Sequence, residues 1–417
     1  MARELSRPPR KNPVRATRLP TQPPAARGRF ALGLTAGAVE GMFALQVCAE
    51  CGAVQYPPRE ACHHCLGIDL RWSPQDGAGE LIAASVLHHS NDLFYRDRMP
   101  WRIGMVRLDA GASVVAHLHG DVGAPPCRVR LTARLDRSGQ AVIYALPAEE
   151  TPHMADDPQF RETTCDPRLR KVLVTDGKTA LGQAVVKALA AAGADLIWVG
   201  EAEPWKQAPG MEALRALPQV SIVPLDVTDA DSVGKLAGEI GGKVDIVVNT
   251  AQLQRVGGIG DREATDVARR AMDVNYLGLL RLAQAFGGAM KFRSADGQSS
   301  ATAWVNILSI YALANFAPHG TFSASQAAAL SLAQCLRAEM APAGIRVINV
   351  FPGPLDDEWN QLMPPPKLAP ATVASAVVKA LKEGVEEVYP GDVAQEWRTK
   401  FREDPKVLEL ELRRGGM

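Results

Sequence analysis

The sequence has no uninterrupted apolar run long enough to cross a membrane. Its longest apolar stretch, from Val185 to Gly200, is broken by Lys187 and Asp195, whereas a membrane-spanning helix needs about 20 consecutive apolar residues. The N-terminal end also lacks the apolar segment that a secretory signal places after its basic residues. A cytoplasmic location, with no membrane partner, is therefore expected.

An excess of charge of either sign is also missing, since 46 lysines and arginines balance 46 aspartates and glutamates. No global basic field argues for a nucleic-acid partner. Cysteine is scarce, with 7 residues in 417, which excludes a scaffold held together by disulfides. Hydrophobic residues make up 47% of the chain, as in ordinary soluble proteins, and the length predicts two or three domains.

Composition changes along the chain predict six segments. Residues 1–37 hold eight lysines and arginines within their first 29 positions, and we expect this leader to be disordered or to be a docking arm for a partner. The polar, proline-containing stretch 149–169 predicts a linker. The remaining segments are predicted to be a metal ribbon at 38–70, a β-barrel at 71–148, an α/β domain at 170–400 and a C-terminal tail at 401–417.

Four of the cysteines form two Cys-x-x-Cys pairs, Cys48 with Cys51 and Cys62 with Cys65. Each pair places two thiolates on one tight turn. Two such turns facing each other close a four-sulfur shell that suits zinc, with iron as the alternative metal. Because four cysteines leave no open coordination position, we expect this site to be structural.

Neighbouring residues refine the prediction of a ribbon. Gly52 and Gly67 follow the two pairs and fit the tight backbone turns that such a site needs. His63 and His64 lie inside the second pair and are expected to be exposed, because four cysteines already complete the shell. The other cysteines have no base at usable spacing and are expected to be structural thiols: Cys127, Cys165 and Cys335.

Five short strands are predicted after the ribbon, which favours a small β-barrel. They cover Gly79–Ser90, Trp101–Asp109, Ser113–His119, Arg128–Leu135 and Ala141–Leu146. OB-type barrels also bind oligonucleotides. The aromatic residues of this barrel are few and are not interleaved with basic residues, so a nucleic-acid partner is not expected.

The order of features over residues 40–150 resembles a family of zinc-ribbon and OB-fold accessory proteins associated with acyl-CoA. The resemblance is carried by the ribbon, by Tyr56-Pro57-Pro58-Arg59 between its cysteine pairs, and by Gly77-x-Gly79-Glu80 before the barrel. Members of that family sit beside thiolases, thiolase-like aldolases and hydroxymethylglutaryl-CoA synthases. The resemblance implies a thiolase-like acyl-CoA enzyme as partner, with a CoA thioester at the shared interface.

From residue 170 onward, apolar strands alternate with helical stretches, which predicts a parallel, doubly wound sheet. The predicted strands are Lys171–Thr175, Gly193–Val199, Gln219–Asp226, Asp245–Asn249, Ala303–Ser309 and Arg346–Val350. Over residues 170–395 the landmarks resemble the short-chain dehydrogenase/reductase family. The expected fold class is therefore α/β, with an N-terminal zinc ribbon and small OB-type barrel followed by a Rossmann-like sheet.

The phosphate-binding turn departs from the family's pattern Thr-Gly-x-x-x-Gly-x-Gly. Here it reads Thr175-Asp176-Gly177-Lys178-Thr179-Ala180-Leu181-Gly182, so only Thr175 and Gly182 keep their places. Asp176 adds a negative charge, and Ala180 takes room where the backbone should approach the phosphates. These changes predict weak dinucleotide binding at most.

Other cofactor positions follow from the same resemblance. Asp226 matches the aspartate that meets the adenine, and Pro352-Gly353 matches the turn on the nicotinamide side. The family's Asn-Asn-Ala-Gly has become Asn249-Thr250-Ala251-Gln252. Glu201 ends the second strand, where an acid repels a 2′-phosphate, so any dinucleotide bound is expected to be NAD and not NADP.

The family's proton donor is missing. In the family a tyrosine gives the proton, and a lysine one helical turn later lowers its pKa. Ser309 fits the serine that precedes this pair, but the places of the tyrosine and the lysine are taken by Phe322 and Gln326. Asn275 matches the catalytic asparagine. Because phenylalanine has no proton to give, we expect no catalytic residues in this degenerate domain.

The leading interpretation is a subunit that is not catalytic by itself, in a thiolase-type complex that forms or cleaves carbon–carbon bonds. Its dehydrogenase-like domain would form a homodimer through Gly278–Ala289 and Ala327–Met340. The main alternative is an active NAD-dependent oxidoreductase of hydroxyacyl-CoA or ketoacyl-CoA compounds, with His319 as an atypical donor, although a histidine on such a loop is more often exposed. A regulatory, dinucleotide-sensing role is a further alternative. Glu358-Trp359 is expected to form a rigid cover over the site.

Overall fold

The computed structural model describes residues 4–5, 22–206, 208–261, 264–294, 301–361 and 363–413. Most of the predicted leader lies outside these residues. The chain divides into two compact units, one built on residues up to Cys165 and one from Asp166 onward. This division falls within the predicted linker. Among the helices of the described residues, none combines the length and hydropathy that crossing a membrane requires.

The first α-helix of the first unit, α1 (Leu32–Val39), begins within residues 1–37, for which a disordered leader or a docking arm was predicted. Leu34 and Ala38 are buried in the same apolar cluster as the side chains of the barrel. This apolar helix therefore belongs to the folded unit, and the predicted boundary at residue 37 is too late.

A three-stranded antiparallel sheet carries the cysteines. Strand β1 (Ala44–Cys48) lies between β2 (Val54–Gln55) and β3 (Leu70–Pro74). The first cysteine pair begins at the last residue of β1, and the second lies between β2 and β3. Because Cys48 pairs with Leu70 in the register of the sheet, both cysteine loops are brought to the same end.

Five strands form a closed barrel in the order β4-β5-β6-β8-β7. They are β4 (Ala78–Leu87), β5 (Trp101–Leu108), β6 (Ser113–Leu118), β7 (Cys127–Leu135) and β8 (Ala141–Pro147). Only β6 and β8 pair in parallel among these neighbours. The short helices α2 (Leu93–Arg96) and α3 (Pro158–Arg161) lie outside the strands. A five-stranded Greek-key barrel is the OB fold, which confirms the prediction.

Strand β4 is paired unequally on its two sides. It pairs with β5 along its length, but with β7 only from Ala78 to Leu81. A bulge interrupts its pairing with β5 between Leu81 and Ala83. Every residue from Ile82 to Leu87 is exposed.

The second unit contains a parallel sheet of 7 strands in the order β11-β10-β9-β12-β13-β14-β15. The strands are β9 (Lys171–Val174), β10 (Leu196–Glu201), β11 (Val220–Pro224), β12 (Ile246–Asn249), β13 (Ala303–Ile307), β14 (Arg346–Val350) and β15 (Glu387–Val388). Strands β12, β13 and β14 are buried throughout, as expected of a sheet covered on both faces. The doubly wound sheet is confirmed, and β15 is an additional strand.

Helices alternate with these strands: α4 (Ala180–Ala191), α5 (Met211–Arg215), α6 (Ala230–Ile240), α7 (Asp266–Met272), α8 (Gly278–Ser294), α9 (Gly320–Met340), α10 (Pro370–Glu383), α11 (Asp392–Glu403) and α12 (Pro405–Arg413). Helix α12 lies where a tail was predicted. It buries Leu408 and Leu412 in the core cluster that contains Trp397. Its apolar stripe therefore makes residues 405–413 part of the folded unit.

The chain reverses its winding between β9 and β12, which are neighbours at the centre of the sheet. Ligands of open parallel sheets bind at such a switch point, beyond the carboxyl ends of the strands. Thr175 follows β9, and Asn249 ends β12. The fold thus places Thr175 and Asn249 at the crevice where such sheets bind their ligands.

Candidate functional site

The four predicted metal ligands lie together in the ribbon. Their sulfur atoms are all within 4.8 Å of one another. The Sγ–Sγ distance is 3.5 Å between Cys48 and Cys65 and 3.6 Å between Cys51 and Cys62. A tetrahedral zinc ion with Zn–S bonds of about 2.3 Å places its ligands about 3.8 Å apart. The cluster therefore fits zinc.

The two cysteine turns share the same backbone hydrogen bonds. The N–H of Cys48 donates to the carbonyl of Ala53 at 3.0 Å, and that of Cys62 donates to Gly67 at 2.8 Å. In the same way, the N–H of Gly52 donates to Cys48 at 2.9 Å, and that of Leu66 donates to Cys62 at 3.1 Å. Gly52 has a positive φ of 73°, as its predicted turn requires. In the second turn the left-handed residue is Leu66, with φ of 64°, and the turn role predicted for Gly67 was wrong. Gly67 instead makes room for a neighbour, since a Cβ there would lie 2.6 Å from the Glu50 carboxyl carbon.

The thiols differ in pKa because of their hydrogen bonds and their close spacing. The backbone N–H groups of Cys65 and His64 lower the pKa of the Cys62 thiol to about 6. The Gly67 N–H lowers the pKa of Cys65, but the neighbouring thiols together raise it to about 12. A cation at the centre would replace the protons that these sulfurs otherwise share. His63 and His64 are exposed, as predicted.

In the second unit, a threonine joins the ends of the two central strands. Thr175 donates its Oγ1 proton to Asn249 Oδ1 at 2.8 Å. Thr175 Oγ1 itself accepts from the N–H groups of Thr250 at 3.0 Å and Ala251 at 3.2 Å. The Thr175 and Asn249 side chains are therefore engaged with each other beneath the crevice.

Two N–H groups of the turn after β9 donate to side chains of the same turn. Asp176 Oδ1 accepts from the N–H of Lys178 at 2.8 Å, and Thr179 Oγ1 accepts from that of Gly182 at 3.0 Å. Burial raises the pKa of the Asp176 carboxyl to about 6. A Cβ at Gly182 would lie 2.0 Å from the Asp176 carbonyl oxygen, so packing within the turn alone requires this glycine.

A cleft with a volume of about 160 Å³ opens beside this turn. Its lining residues are Thr175, Asp176, Ala202, Leu225, Asp226, Val227, Thr228, Ala251, Gln252, Leu253 and Val274. Asp226 Oδ1 accepts from the N–H of Thr228 at 2.9 Å and from its hydroxyl at 2.7 Å. These bonds orient the Asp226 carboxylate at the end of β11.

Gln252 lies at this cleft and at a second pocket. Its side-chain Nε2 donates to the carbonyl oxygens of Ile307 at 2.7 Å and Leu308 at 3.1 Å. Gln252 lines both cavities. The sequence shows a glutamine at this position, but its contacts with Ile307 and Leu308 depend on the fold and were not predicted.

The second pocket has a volume of only about 10 Å³. It brings together four predicted positions: Ser309, Phe322, Pro352 and Gly353. Phe322 is only 2% exposed, and Ser309 Oγ accepts from the N–H of Tyr311 at 3.3 Å. Within the described part of the chain, no charged side chain lines this pocket.

Asn275 and Gln326 do not line either cavity. Asn275 lies in a π-helical turn, Asp273–Leu277, between α7 and α8, a distortion that is frequent at functional sites. Its amide pairs with the backbone of Leu253, at 2.8 Å and 3.0 Å. Gln326 is 1% exposed, and its Oε1 has no hydrogen-bond partner among the described residues.

His319 is buried, with an exposed fraction of 0%, and the expectation of an exposed histidine was wrong. The loop folds inward, so that the imidazole stacks on Tyr311 with ring centroids 5.3 Å apart. Burial lowers the pKa of His319 to about 4 and raises the pKa of Tyr311. Within the described residues, His319 Nε2 and the Tyr311 hydroxyl have no hydrogen-bond partner. Tyr311, two residues after Ser309, is a site residue that sequence reasoning missed.

Glu201 is buried at the end of β10 and paired. Its carboxylate accepts from the Arg215 guanidinium at 2.8 Å. The same guanidinium binds Glu212 at 2.8 Å. Because Arg215 compensates the charge of Glu201, the repulsion of a 2′-phosphate is weaker than the sequence alone indicates.

The segment after β14 is fixed over the small pocket. The Arg255 guanidinium lies 4.2 Å from the ring centroid of Trp359. Gln254 Nε2 donates to Asn360 Oδ1 at 2.9 Å, and Asn360 Nδ2 donates to Asp357 at 2.8 Å. These contacts tie the cover to the loop after β12, which supports the rigid cover predicted at Glu358-Trp359.

Comparison with known proteins identifies the second unit. The short chain dehydrogenase family matches residues 170–365. An uncharacterized oxidoreductase of Staphylococcus aureus is 30% identical over 217 residues, which are 51% of this chain and 90% of that protein. The chain belongs to the short-chain dehydrogenase family. A short chain dehydrogenase from Burkholderia cenocepacia, solved in complex with NADP, is 33% identical with a TM-score of 0.52, over 58% of this chain and 97% of that chain.

Two further matches identify the first unit. Residues 35–71 match the ChsH2 rubredoxin-like zinc ribbon domain, and residues 72–137 match the ChsH2 C-terminal OB-fold domain. The chain is therefore a fusion of a ChsH2-type ribbon and OB fold with a short-chain dehydrogenase domain. The fold class predicted from the sequence is confirmed.

Proposed function

We propose that this chain is a partner subunit of a thiolase-type acyl-CoA enzyme and that its short-chain dehydrogenase domain has no hydride-transfer activity. The observation that carries the second part is the small pocket beside Ser309, where the buried Phe322 side chain lies. Phenylalanine has no proton to donate, and Gln326 has no charge that would tune a donor. Loss of a general acid typically lowers a rate by about 10²–10⁴-fold.

The neighbouring polar side chains are poor substitutes for the missing donor. A donor near neutral pH needs a pKa near the working pH. Burial moves the pKa of His319 down to about 4 and that of Tyr311 upward, so both move away from neutrality. The pocket volume of about 10 Å³ holds about one water molecule and no substrate carbonyl group.

The barrel offers a surface for the proposed partner. Met105 on β5 lies directly opposite Ala83 on β4 and Val115 on β6. Met105 is 43% exposed and Val115 is 54% exposed, with Ile82 beside them at 38%. A contiguous exposed apolar surface marks an interaction site. Together with the ChsH2-type match, this surface supports a thiolase-like partner, with a CoA thioester at the shared interface.

Affinity purification of the tagged full chain from its native host tests the partnership. We expect a thiolase-like protein to be recovered with the natural chain and lost with Met105→Lys combined with Val115→Lys. Leu410→Lys, at an exposed position of the other unit, is the matched control and should retain the partner. Recovery of no thiolase-like protein with the natural chain would overturn this part of the proposal.

The dehydrogenase domain is proposed to supply a homodimer contact through α8 and α9. Ala324 and Cys335 are exposed on α9. Ala324→Glu combined with Cys335→Glu should halve the mass measured by light scattering, whereas Ala191→Glu at the exposed end of α4 should leave it unchanged. A monomeric natural chain would contradict this proposal.

One observation favours an active oxidoreductase as the second candidate. The Tyr311 hydroxyl and His319 Nε2 are buried near Ser309 without hydrogen-bond partners among the described residues. An arriving carbonyl substrate would give these groups a partner. NADH-dependent reduction of ketoacyl-CoA compounds by the natural chain, abolished by His319→Ala or Tyr311→Phe, would establish this activity in place of the structural role.

A further inference from the structure

The second cysteine turn holds two large apolar side chains in solvent. Leu66 is 75% exposed and Ile68 is 81% exposed, the highest values among the large apolar residues that the structure describes in the first unit. Backbone hydrogen bonds fix both positions. The N–H of Leu66 donates to Cys62 at 3.1 Å, and the carbonyl of Ile68 accepts from Leu70 at 3.0 Å. Burial of these side chains against another molecule would remove apolar area from water, which favours association.

The first cysteine turn shows that these side chains are not required for the turn itself. Gly52 takes the place of Leu66 there and makes the same hydrogen bond. Val54 takes the place of Ile68, and its half-buried side chain packs against the apolar cluster of the barrel. Leu66, with φ of 64°, is strained by its left-handed backbone, and such strain is concentrated at functional sites. An exposed leucine at a strained position therefore points to a contact outside this chain.

A carboxylate lies at the same turn, against the glycine between the two apolar residues. A Cβ at Gly67 would lie 2.6 Å from the carboxyl carbon of Glu50 and 2.7 Å from both of its oxygens, so the missing side chain makes room for this group. Glu50 is exposed, and its carboxylate has no hydrogen bond or ion pair with any other residue that the structure describes. It is therefore available to a cation of another molecule.

We propose that Leu66, Ile68 and Glu50 form a docking tip, which fits an apolar pocket of the thiolase-type partner bordered by an arginine or lysine side chain. Resting on the proposed function, this docking tip adds a second contact to that of the barrel. The ribbon and the barrel both match ChsH2 domains, so one partner is expected to contact both. An apolar centre with a polar rim is the usual composition of a protein interface, and the basic side chain would pair with Glu50.

Leu66→Gly distinguishes docking from a structural role. The probe is the thiolase-like protein that is recovered with the natural chain from its native host, titrated against the full chain. We expect the variant to bind it at least about tenfold more weakly, because a buried leucine side chain is lost. The same change relieves the left-handed strain, so the unfolding midpoint of the ribbon should rise. Weaker binding by a more stable chain excludes unfolding as its cause, and an unchanged affinity would overturn the docking tip.

Two other apolar positions complete this test. Ile68→Ala should weaken binding in the same direction as Leu66→Gly and should leave the zinc content of the chain unchanged. Leu32→Ala, at an exposed leucine on α1 of the same unit, is the matched control and should leave the affinity unchanged. Equal losses with Leu32→Ala and Ile68→Ala would contradict a specific contact at the second cysteine turn.

The role of the Glu50 carboxylate is tested by salt. Glu50→Gln keeps the size of the side chain and removes its charge, so binding should weaken by about two- to fivefold. Because salt screens exposed charges, the affinity of this variant should also depend less on ionic strength than that of the natural chain. Glu60→Gln, whose carboxylate lies 3.5 Å from the Arg29 guanidinium in the same unit, is the control. The same salt dependence for Glu50→Gln and the natural chain would contradict the basic rim of the pocket.

The outcomes separate the docking tip from the proposed function. Loss of the thiolase-like protein with Met105→Lys and Val115→Lys, but not with Leu66→Gly or Ile68→Ala, would overturn the docking tip and leave the proposed function intact. Recovery of no thiolase-like protein with the natural chain would overturn both. If light scattering showed that Leu66→Gly separates copies of this chain, the tip would be a contact between copies, and the thiolase-type occupant would be wrong.

Discussion

The two cysteine turns of the ribbon and the turn after β9 are short loops of a kind that binds a charged group. Such cysteine turns bind a metal ion, and the turn after the first strand of a Rossmann-like sheet binds phosphates. In this chain the two regions differ in where their polar atoms point. In the ribbon, two loops with matching backbone hydrogen bonds direct four sulfurs at one centre. In the turn after β9, the N–H groups of Lys178 and Gly182 are taken by side chains of the same turn. Four sulfur atoms of the ribbon therefore face one centre, whereas these two N–H groups of the turn after β9 already have partners within the turn.

The largest expected effect concerns the ribbon. Cys62→Ser should abolish zinc binding and unfold the ribbon, because structural zinc contributes about 10–16 kcal/mol of folding free energy in small zinc domains. Elemental analysis of the natural chain should give about one zinc ion per chain. Cys335→Ser, at an exposed thiol of the other unit, should keep the metal. A metal-free chain with a folded ribbon would contradict the prediction.

The second effect concerns restoration of the dehydrogenase site. Phe322→Tyr, Gln326→Lys and Gln252→Gly together supply a donor, its tuning charge and room for the cofactor. We expect a measurable rate of ketoacyl-CoA reduction, about 10²–10⁴-fold above that of the natural chain. The rate is measured as the loss of NADH absorbance. The double variant Gln326→Lys with Gln252→Gly, which retains Phe322, is the control and should stay inactive. Equal activity of both forms would show that the Tyr position does not carry the chemistry.

A smaller effect concerns the Asp176 carboxyl in the crevice. An unfolded aspartate has a pKa of about 3.9, and burial raises the folded value to about 6. The folded chain therefore holds the proton more tightly, and its stability falls as pH rises between these values. Asp176→Asn should stabilise the chain by about 1–3 kcal/mol near pH 8, and the gain should disappear toward pH 4. Thermal unfolding at both pH values measures it, and a pH-independent gain would be inconsistent with the raised pKa.

The smallest effect concerns the asymmetry between the two cysteine turns. Leu66 holds a left-handed backbone at φ of 64° where the first turn has Gly52, and its side chain is 75% exposed. A left-handed L-residue is strained by about 1–2 kcal/mol, partly offset by the greater freedom of unfolded glycine. Leu66→Gly should therefore stabilise the ribbon by under about 1 kcal/mol, seen as a higher unfolding midpoint. Gly52→Leu should do the reverse, and equal midpoints would show that neither turn is strained.

Local patterns carried most of what the sequence predicted correctly. The spacing of Cys48, Cys51, Cys62 and Cys65 fixes each turn, and the apolar runs mark β9 to β14 to within a few residues. Strand β15 has only two residues, too few to show a periodicity. Helix α12 was missed because its apolar residues become meaningful only when packed on the core that holds Trp397.

The parts of the site that were missed depend on distant contacts. Gln252 acts through carbonyl oxygens 55 and 56 positions away. Arg215 compensates Glu201 from a helix outside the strand. His319 is buried because its loop packs against Tyr311, which no local pattern shows. The sequence shows which residues differ from the family's pattern, but it does not show these contacts, which depend on the folded chain.

The unequal pairing of β4 has a consequence for handling the protein. From Ile82 to Leu87 no strand of the described residues pairs with its outer edge, and this segment contains no charged residue or proline. Charged residues and prolines normally keep an exposed strand edge from pairing with another chain. When the chain is produced alone, this edge is expected to seed strand exchange and insoluble assemblies, and introducing a lysine at Ala84 should raise the soluble yield.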